Sequence, residues 1–216
     1  MSTDLFSNPM FIVAEILAVL IAITVHEFSH ALVAKFFGDD TAESVGRLSL
    51  NPLKHIDPIG TVVLPIILLI SGLPPFGWAK PVPVNYSRLR NGRWAMALVA
   101  IAGPASNFIM LFGFNLAYKF FFPTLGESNL LVLFFYASVV VNSALMIFNL
   151  IPIPPLDGSK VLFALLPDSL NEVKYWLDKY GSFLLIGLIL LGSYTSINIL
   201  GIFFNFGFGI LNKIIG

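Results

Sequence analysis

Apolar and polar residues fall in long blocks along this chain, not in the short periods of a soluble fold. Residues 9–37 form the first apolar block, which predicts a helix of roughly 40 Å, long enough to cross a bilayer. The block is unusual in carrying Glu15, His26, Glu27, His30 and Lys35. Gly38, followed by Asp39 and Asp40, predicts where it stops. A polar stretch runs to Pro58. The next apolar block, residues 59–70, has only twelve residues, short for a span and suited to a re-entrant segment. Within the Pro- and Gly-rich region that follows, WAKPVPV (78–84) predicts extended chain or an edge strand, because proline is excluded from central strands. Residues 94–122 and 130–151 read as two spanning helices. Residues 152–180 are polar, with a short amphipathic helix near 169–179. Residues 181–200 predict a further span, and 201–216 an interfacial tail or an extra span. The expected fold is an all-α membrane protein in one domain, residues 1–216. It is a polytopic helix bundle with a short re-entrant or extended membrane-associated segment, about 45–93, between the first and second full spans.

Composition supports the bilayer. Hydrophobic residues make up 57% of the 216 and charged residues 11%, where a soluble domain carries about 25% charged residues. The formal net charge is zero, so no basic footprint suggests a nucleic-acid partner. The first nine residues hold no Lys or Arg and lack the charged region of a cleavable signal peptide. Lys and Arg number two in residues 38–58, four in 73–93 and three in 152–180, and none in 1–8 or 123–129. If residues 59–70 do not cross, all of these lie on one side, which the positive-inside rule makes cytoplasmic.

The chain has no cysteine and three histidines, so any metal must be held by His and carboxylate. His26-Glu27-Phe28-Ser29-His30 matches H-E-x-x-H. Two histidines four apart share one helix face and can bind one zinc, with the glutamate as general base towards a water. An ionisable residue at the bilayer centre costs about 2.5–3.5 kcal/mol on insertion scales. Placing three together in an apolar helix therefore calls for a reason, and a metal site supplies one. A catalytic zinc takes three protein ligands and keeps one open position. The candidate third ligand is Asp157, directly after a charge-free block and a proline cluster (Pro152, Pro154, Pro155) that must break the helix. Its bland alternative is to cap the segment 159–166. One ion can bind His26, His30 and Asp157 only if both helix ends face the same side, which again requires residues 59–70 not to cross. Asn149 is a candidate for holding substrate backbone or an oxyanion. Asn107 and Asn142 read as polar contacts between helices, and Gly103-Pro104 as a kink or thinning that permits close packing. His55 carries no ligand spacing and reads as an interfacial residue or one near the site that contacts substrate.

With these pieces assembled, the chain resembles the site-2 protease family of intramembrane zinc metalloproteases. HEFSH (26–30), NPLKHIDPIG (51–60), AGPASN (102–107) and the N-x-x-P-x-x-P-L-D-G run of 149–158 occur in the family's order. The resemblance implies one zinc per chain on His26, His30 and Asp157, with Glu27 as catalytic carboxylate. It also implies cleavage of the transmembrane segment of a membrane-anchored substrate, and extended structure between the first and second spans. Many relatives carry a PDZ or CBS domain; this chain resembles the compact bacterial or archaeal type without either. Two other readings compete. In one, a non-catalytic relative binds membrane segments. In the other, a transport protein carries metal along acidic and His residues on both sides of the midplane; here, apart from Glu15, they gather towards one side.

Overall fold

The computed structural model describes residues 8–71, 77–195 and 198–215. It is 78% helical, and no strand occurs among the described residues. The first helix, α1 (Pro9–Phe36), starts where the Asn8 side chain accepts the Met10 amide and Pro9 occupies the first turn, where a missing N–H costs nothing. It ends at Gly38, whose φ of +100° turns the chain away. A one-turn helix, α2 (Thr41–Ser44), follows. The short apolar block is a wide turn, Pro58–Val63, continuing into α3 (Leu64–Ile70). The long helices α4 (Gly92–Leu125) and α5 (Leu130–Asn149) come next, then α6 (Asp157–Leu165), α7 (Asn171–Tyr194) and α8 (Ile199–Ile215).

Helices α1, α4 and α5 pack against one another and form the heart of the bundle. The face that α1 turns inward is made of small residues: Ala14, Ala18, Ala22, Ala31 and Ala34 are all buried. Its large residues, Ile12, Val13, Ile16, Leu17 and Leu32, are exposed. That inverts the soluble pattern and suits a bilayer, where lipid solvates large side chains and small ones let backbones approach. At one end of α1, Phe11, Ala14 and Ala18 meet Leu133 and Ala137 of α5. At the other, Ala34 meets Ala95 and Val99 of α4 together with Leu89. So α1 and α5 run parallel, and α4 runs against both.

Among the described residues, four stretches are long and apolar enough to cross a membrane: Pro9–Phe36, Gly92–Leu125, Leu130–Asn149 and Asp168–Gly192. The segment ending in α3 is too short to span. Its start is fastened to the extended chain that follows: Trp78 N–H donates to Gly60 O, Thr61 Oγ1 to Trp78 O, and Lys80 N–H to His55 O. Arg90 then donates to Phe36 O and Phe37 O, so α4 begins beside the end of α1.

One boundary differs from the pattern reading. The amphipathic stretch near 169–179 and the apolar stretch after 181 are a single helix, α7, with no break at Gly181. Glycine inside a helix costs only about 1 kcal/mol relative to alanine. Here it has a packing reason, since a Cβ at Gly181 would lie 2.7 Å from Pro154 Cβ. The last helix, α8, has 17 residues and packs Leu211 against Leu111 and Ile147. Its terminal Ile215 O accepts from Asn115 Nδ2 and Lys119 Nζ of α4.

Candidate metal centre

His26 and His30 face the seam between α1 and α4, and both are buried. Each ring is fixed through Nδ1: His26 Nδ1 lies 2.6 Å from Asn107 Oδ1, and His30 Nδ1 lies 2.7 Å from the Val99 carbonyl. Both partners are on α4 and both are acceptors, so each Nδ1 carries the proton. In a neutral imidazole that leaves a lone pair on each Nε2. The two Nε2 atoms are 3.0 Å apart.

The third element is the chain break after α5. Helix α5 stops at Asn149, ahead of Pro152, Pro154 and Pro155, and Asp157 opens α6. Asp157 does not spend its carboxylate on a helix cap; the cap position is Leu156, with no side-chain bond. Instead Oδ2 points at the histidines, 3.2 Å from His26 Nε2 and 3.3 Å from His30 Nε2. This buried oxygen has no hydrogen-bond partner.

With both rings neutral, three lone pairs converge here, an arrangement that a cation relieves. Their spacing suits zinc: ligand atoms about 2.0–2.1 Å from a common tetrahedral ion lie about 3.3 Å from one another. Among the described residues these are the one His/Asp/Glu trio whose ligand atoms approach this closely. The trio fits zinc, and three ligands leave one position open.

Close approach of α4 makes the geometry feasible. A Cβ at Gly103 would lie 2.4 Å from His30 Nε2 and 2.6 Å from His26 Nε2. Gly158 does the same for the loop, since a Cβ there would sit 2.3 Å from Leu150 O. Asn107, four residues after Gly103 on the same face, donates through Nδ2 to Asn142 Oδ1 at 2.8 Å, and Asn142 Nδ2 donates to Ser138 O at 2.8 Å.

Glu27, next in sequence but turned about 100° around the helix, faces the extended segment. Its Oε2 accepts the Val82 amide at 2.8 Å. A cavity of about 430 Å³ opens in front of the trio; Glu27, Trp78, Val82, Tyr86, Asn149 and Pro155 are among its walls. Burial, and the negative charges of Asp157 and Asp178, push the Tyr86 phenol above its ordinary pKa, so Tyr86 faces the cavity as a neutral hydroxyl.

The structure thus brings His26, His30 and Asp157 to one point and sets Glu27 and Asn149 beside the same cavity. It places His55 elsewhere. His55 is 2% exposed, donates through Nε2 to Ser49 O, and borders a separate small void with Thr24 and Ala79. Its role here is to prop the extended segment, through its own carbonyl and the Lys80 amide. Pattern reasoning passed over Val99 and Val82, whose contributions are a carbonyl and an amide, read Gly103 as a point of close packing without tying it to the site, and gave Asn107 only a packing role. The G-x-x-x-N spacing of 103–107, one turn on a single face, is the signal that ties Gly103 and Asn107 to one surface.

Comparison with known proteins agrees with this geometry. Residues 124–188, which include Asp157, match the model for "Peptidase family M50". The chain is 41% identical over 187 residues to the "Putative zinc metalloprotease YwhC" of Bacillus subtilis, covering 83% of this chain and 82% of that one. Proteins named in the same words as Rip2 are 32% identical in Mycolicibacterium smegmatis over 143 residues and 28% identical in Mycobacterium tuberculosis over 148. The chain spans about half the length of each Rip2. No solved structure matches it.

Proposed function

The chain belongs to peptidase family M50, the site-2 protease type, and on that premise we propose that this metalloprotease cuts the transmembrane segments of membrane-anchored proteins. The observation that carries the reading is the convergence of His26 Nε2, His30 Nε2 and Asp157 Oδ2 within 3.3 Å of one another, in a cavity that Glu27 also lines. These three atoms would hold zinc, which supplies Lewis acidity, lowering the pKa of a water to about 7 and polarising the carbonyl under attack.

Every other part falls to the chain's own residues. Glu27, held by the Val82 amide, takes the proton of the attacking water and returns it to the leaving nitrogen. Asn149 spends one N–H on Leu145 O, which leaves its second N–H and its oxygen for the substrate backbone. A peptide bond inside a helix is shielded by its own hydrogen bonds, so the substrate must unwind to enter. Helix-weakening Asn, Gly or Pro in the substrate segment eases that step. The apolar walls, Trp78, Val82, Val84 and Val99, suit side chains arriving from lipid.

Lys35, Arg88, Arg90 and Arg93 gather where α1 ends and α4 begins. By the positive-inside rule the site faces the cytoplasmic side of a prokaryotic cell membrane. His30 lies six residues, about 9 Å along the helix, from the end of α1, within reach of water from that side.

Co-expression with single-span reporter substrates tests the reading. Wild type should release a shortened product and Glu27→Gln should not, while both retain zinc. Identical products from the two would sink the protease assignment.

A further inference from the structure

Asn142 is fully buried on α5 and reaches no candidate ligand atom, yet a chain of hydrogen bonds connects it to one. The direction of that chain is fixed at its far end. A backbone carbonyl only accepts, so the amide group facing Ser138 O, 2.8 Å away, must be the amino group of Asn142. The Asn142 oxygen is thereby turned to Asn107, whose amino group donates to it at 2.8 Å. That leaves the Asn107 oxygen as the atom facing His26 Nδ1 at 2.6 Å. An acceptor there demands Nδ1–H, and Nε2 keeps its lone pair for the trio.

We propose that Asn142 is a positioning residue: acting through the orientation of the Asn107 amide, it selects the His26 tautomer that can bind metal. The two orientations of an Asn107 amide are nearly isosteric, so packing alone discriminates poorly between them. Turned over, the amide would offer N–H to Nδ1 and favour the tautomer protonated at Nε2, which has no lone pair to give. His30 needs no such device, because its Nδ1 partner is a main-chain carbonyl within helix α4 that cannot turn over. His26 is thus the ligand whose readiness depends on side chains two helices away. Both asparagines are 0% exposed, so no water substitutes for a missing member of the chain.

The proposal rests on the zinc site inferred above, and its test separates the two. Detergent-purified protein is stripped of metal and titrated with Co²⁺ and Zn²⁺ against a competing chelator. Asn142→Leu should weaken metal binding about 10–100-fold, the usual cost of losing a partner behind a metal-binding histidine. Asn107→Asp presents an acceptor in either orientation, so adding it to Asn142→Leu should restore affinity to within about threefold of Asn107→Asp alone. A purely structural Asn142 would leave the double variant as weak as Asn142→Leu, which overturns the proposal, as does an Asn142→Leu protein that binds like wild type. A wild type that binds no metal overturns the zinc reading beneath it. If Asn142→Leu does not fold, nitrogen-15 spectra of the three histidines in metal-free wild type decide: Nδ1–H at His26 is expected, and Nε2–H overturns the proposal.

Discussion

Replacing Gly103 by alanine adds one methyl group where the ligands converge. The new Cβ would stand 2.4 Å from His30 Nε2, 2.6 Å from His26 Cε1 and 2.6 Å from His26 Nε2. Ordinary contacts begin near 3.4 Å, so the helix or the rings must give by up to about 1 Å. The rings cannot slide freely, because both Nδ1 atoms are bonded to α4 itself, at Asn107 and Val99. Moving α4 away stretches those bonds, and tilting the rings separates the Nε2 atoms from Asp157. Overpacking of this kind costs about 1–3 kcal/mol of stability. A displacement of about 1 Å at a reacting centre can cost about 100-fold in rate. Gly113 on the same helix is the control, since nothing lies within 4 Å of a Cβ there. Cleavage of a labelled single-span substrate in proteoliposomes, with zinc content measured on the same preparations, reads both effects. Gly103→Ala should lose metal and at least about tenfold in cleavage, whereas Gly113→Ala should match wild type. A Gly103→Ala enzyme with full zinc and normal turnover would refute the packing argument.

Other outcomes follow from single contacts. Val82→Pro removes the amide that Glu27 accepts and also trims a buried side chain packed with Ala31 and Ala42, in a segment where residues 81 and 83 are already proline. A hydrogen bond to a charged group is worth about 1.5–3 kcal/mol, so turnover should fall about 10–100-fold with zinc retained. Asp157→Asn keeps the shape but gives up the negative ligand, and zinc content by mass spectrometry should fall well below one per chain. Burial works against ionisation of Asp39, yet bonds from Thr41 and from the Asn85 amide, with Arg88 nearby, hold its carboxyl below the ordinary range. A carboxyl depressed in the folded state adds stability above its ordinary pKa and loses it as pH falls through the lowered value. Thermal unfolding in detergent should therefore show wild type losing stability below about pH 5, and Asp39→Asn losing less over the same range.

Much of this was legible in the residues because a bilayer simplifies the reading. An apolar block long enough to span announces a helix, and ionisable residues inside it announce a function; His26, Glu27 and His30 did both. Asp157 was legible from the proline break and from the need for an even number of crossings before it. Residues 78–84 form neither helix nor strand, as their alternating prolines require. What the pattern could not give were contacts between distant segments: the Val82 amide on Glu27, the Val99 carbonyl on His30, and which side chains press on Gly103. The first two are backbone features, and side-chain chemistry leaves no trace of them in a pattern. Asn107 and Asn142 were visible as polar groups among apolar neighbours. Their order and direction emerge only when three helices are placed together. The continuity of α7 through Gly181 was missed because a glycine after a charged stretch looks like a boundary, when it marks the surface on which Pro154 rests.

Zinc-dependent cleavage within the membrane is the central claim, and one reconstitution tests it most directly. The purified protein and a single-span substrate are placed in proteoliposomes, metal is removed with a chelator and then restored, and the product ends are mapped by mass spectrometry. Cleavage should stop on metal removal, return with zinc, and fall at a bond inside the substrate's apolar segment. Products that persist without metal, or that end only outside that segment, would contradict the account.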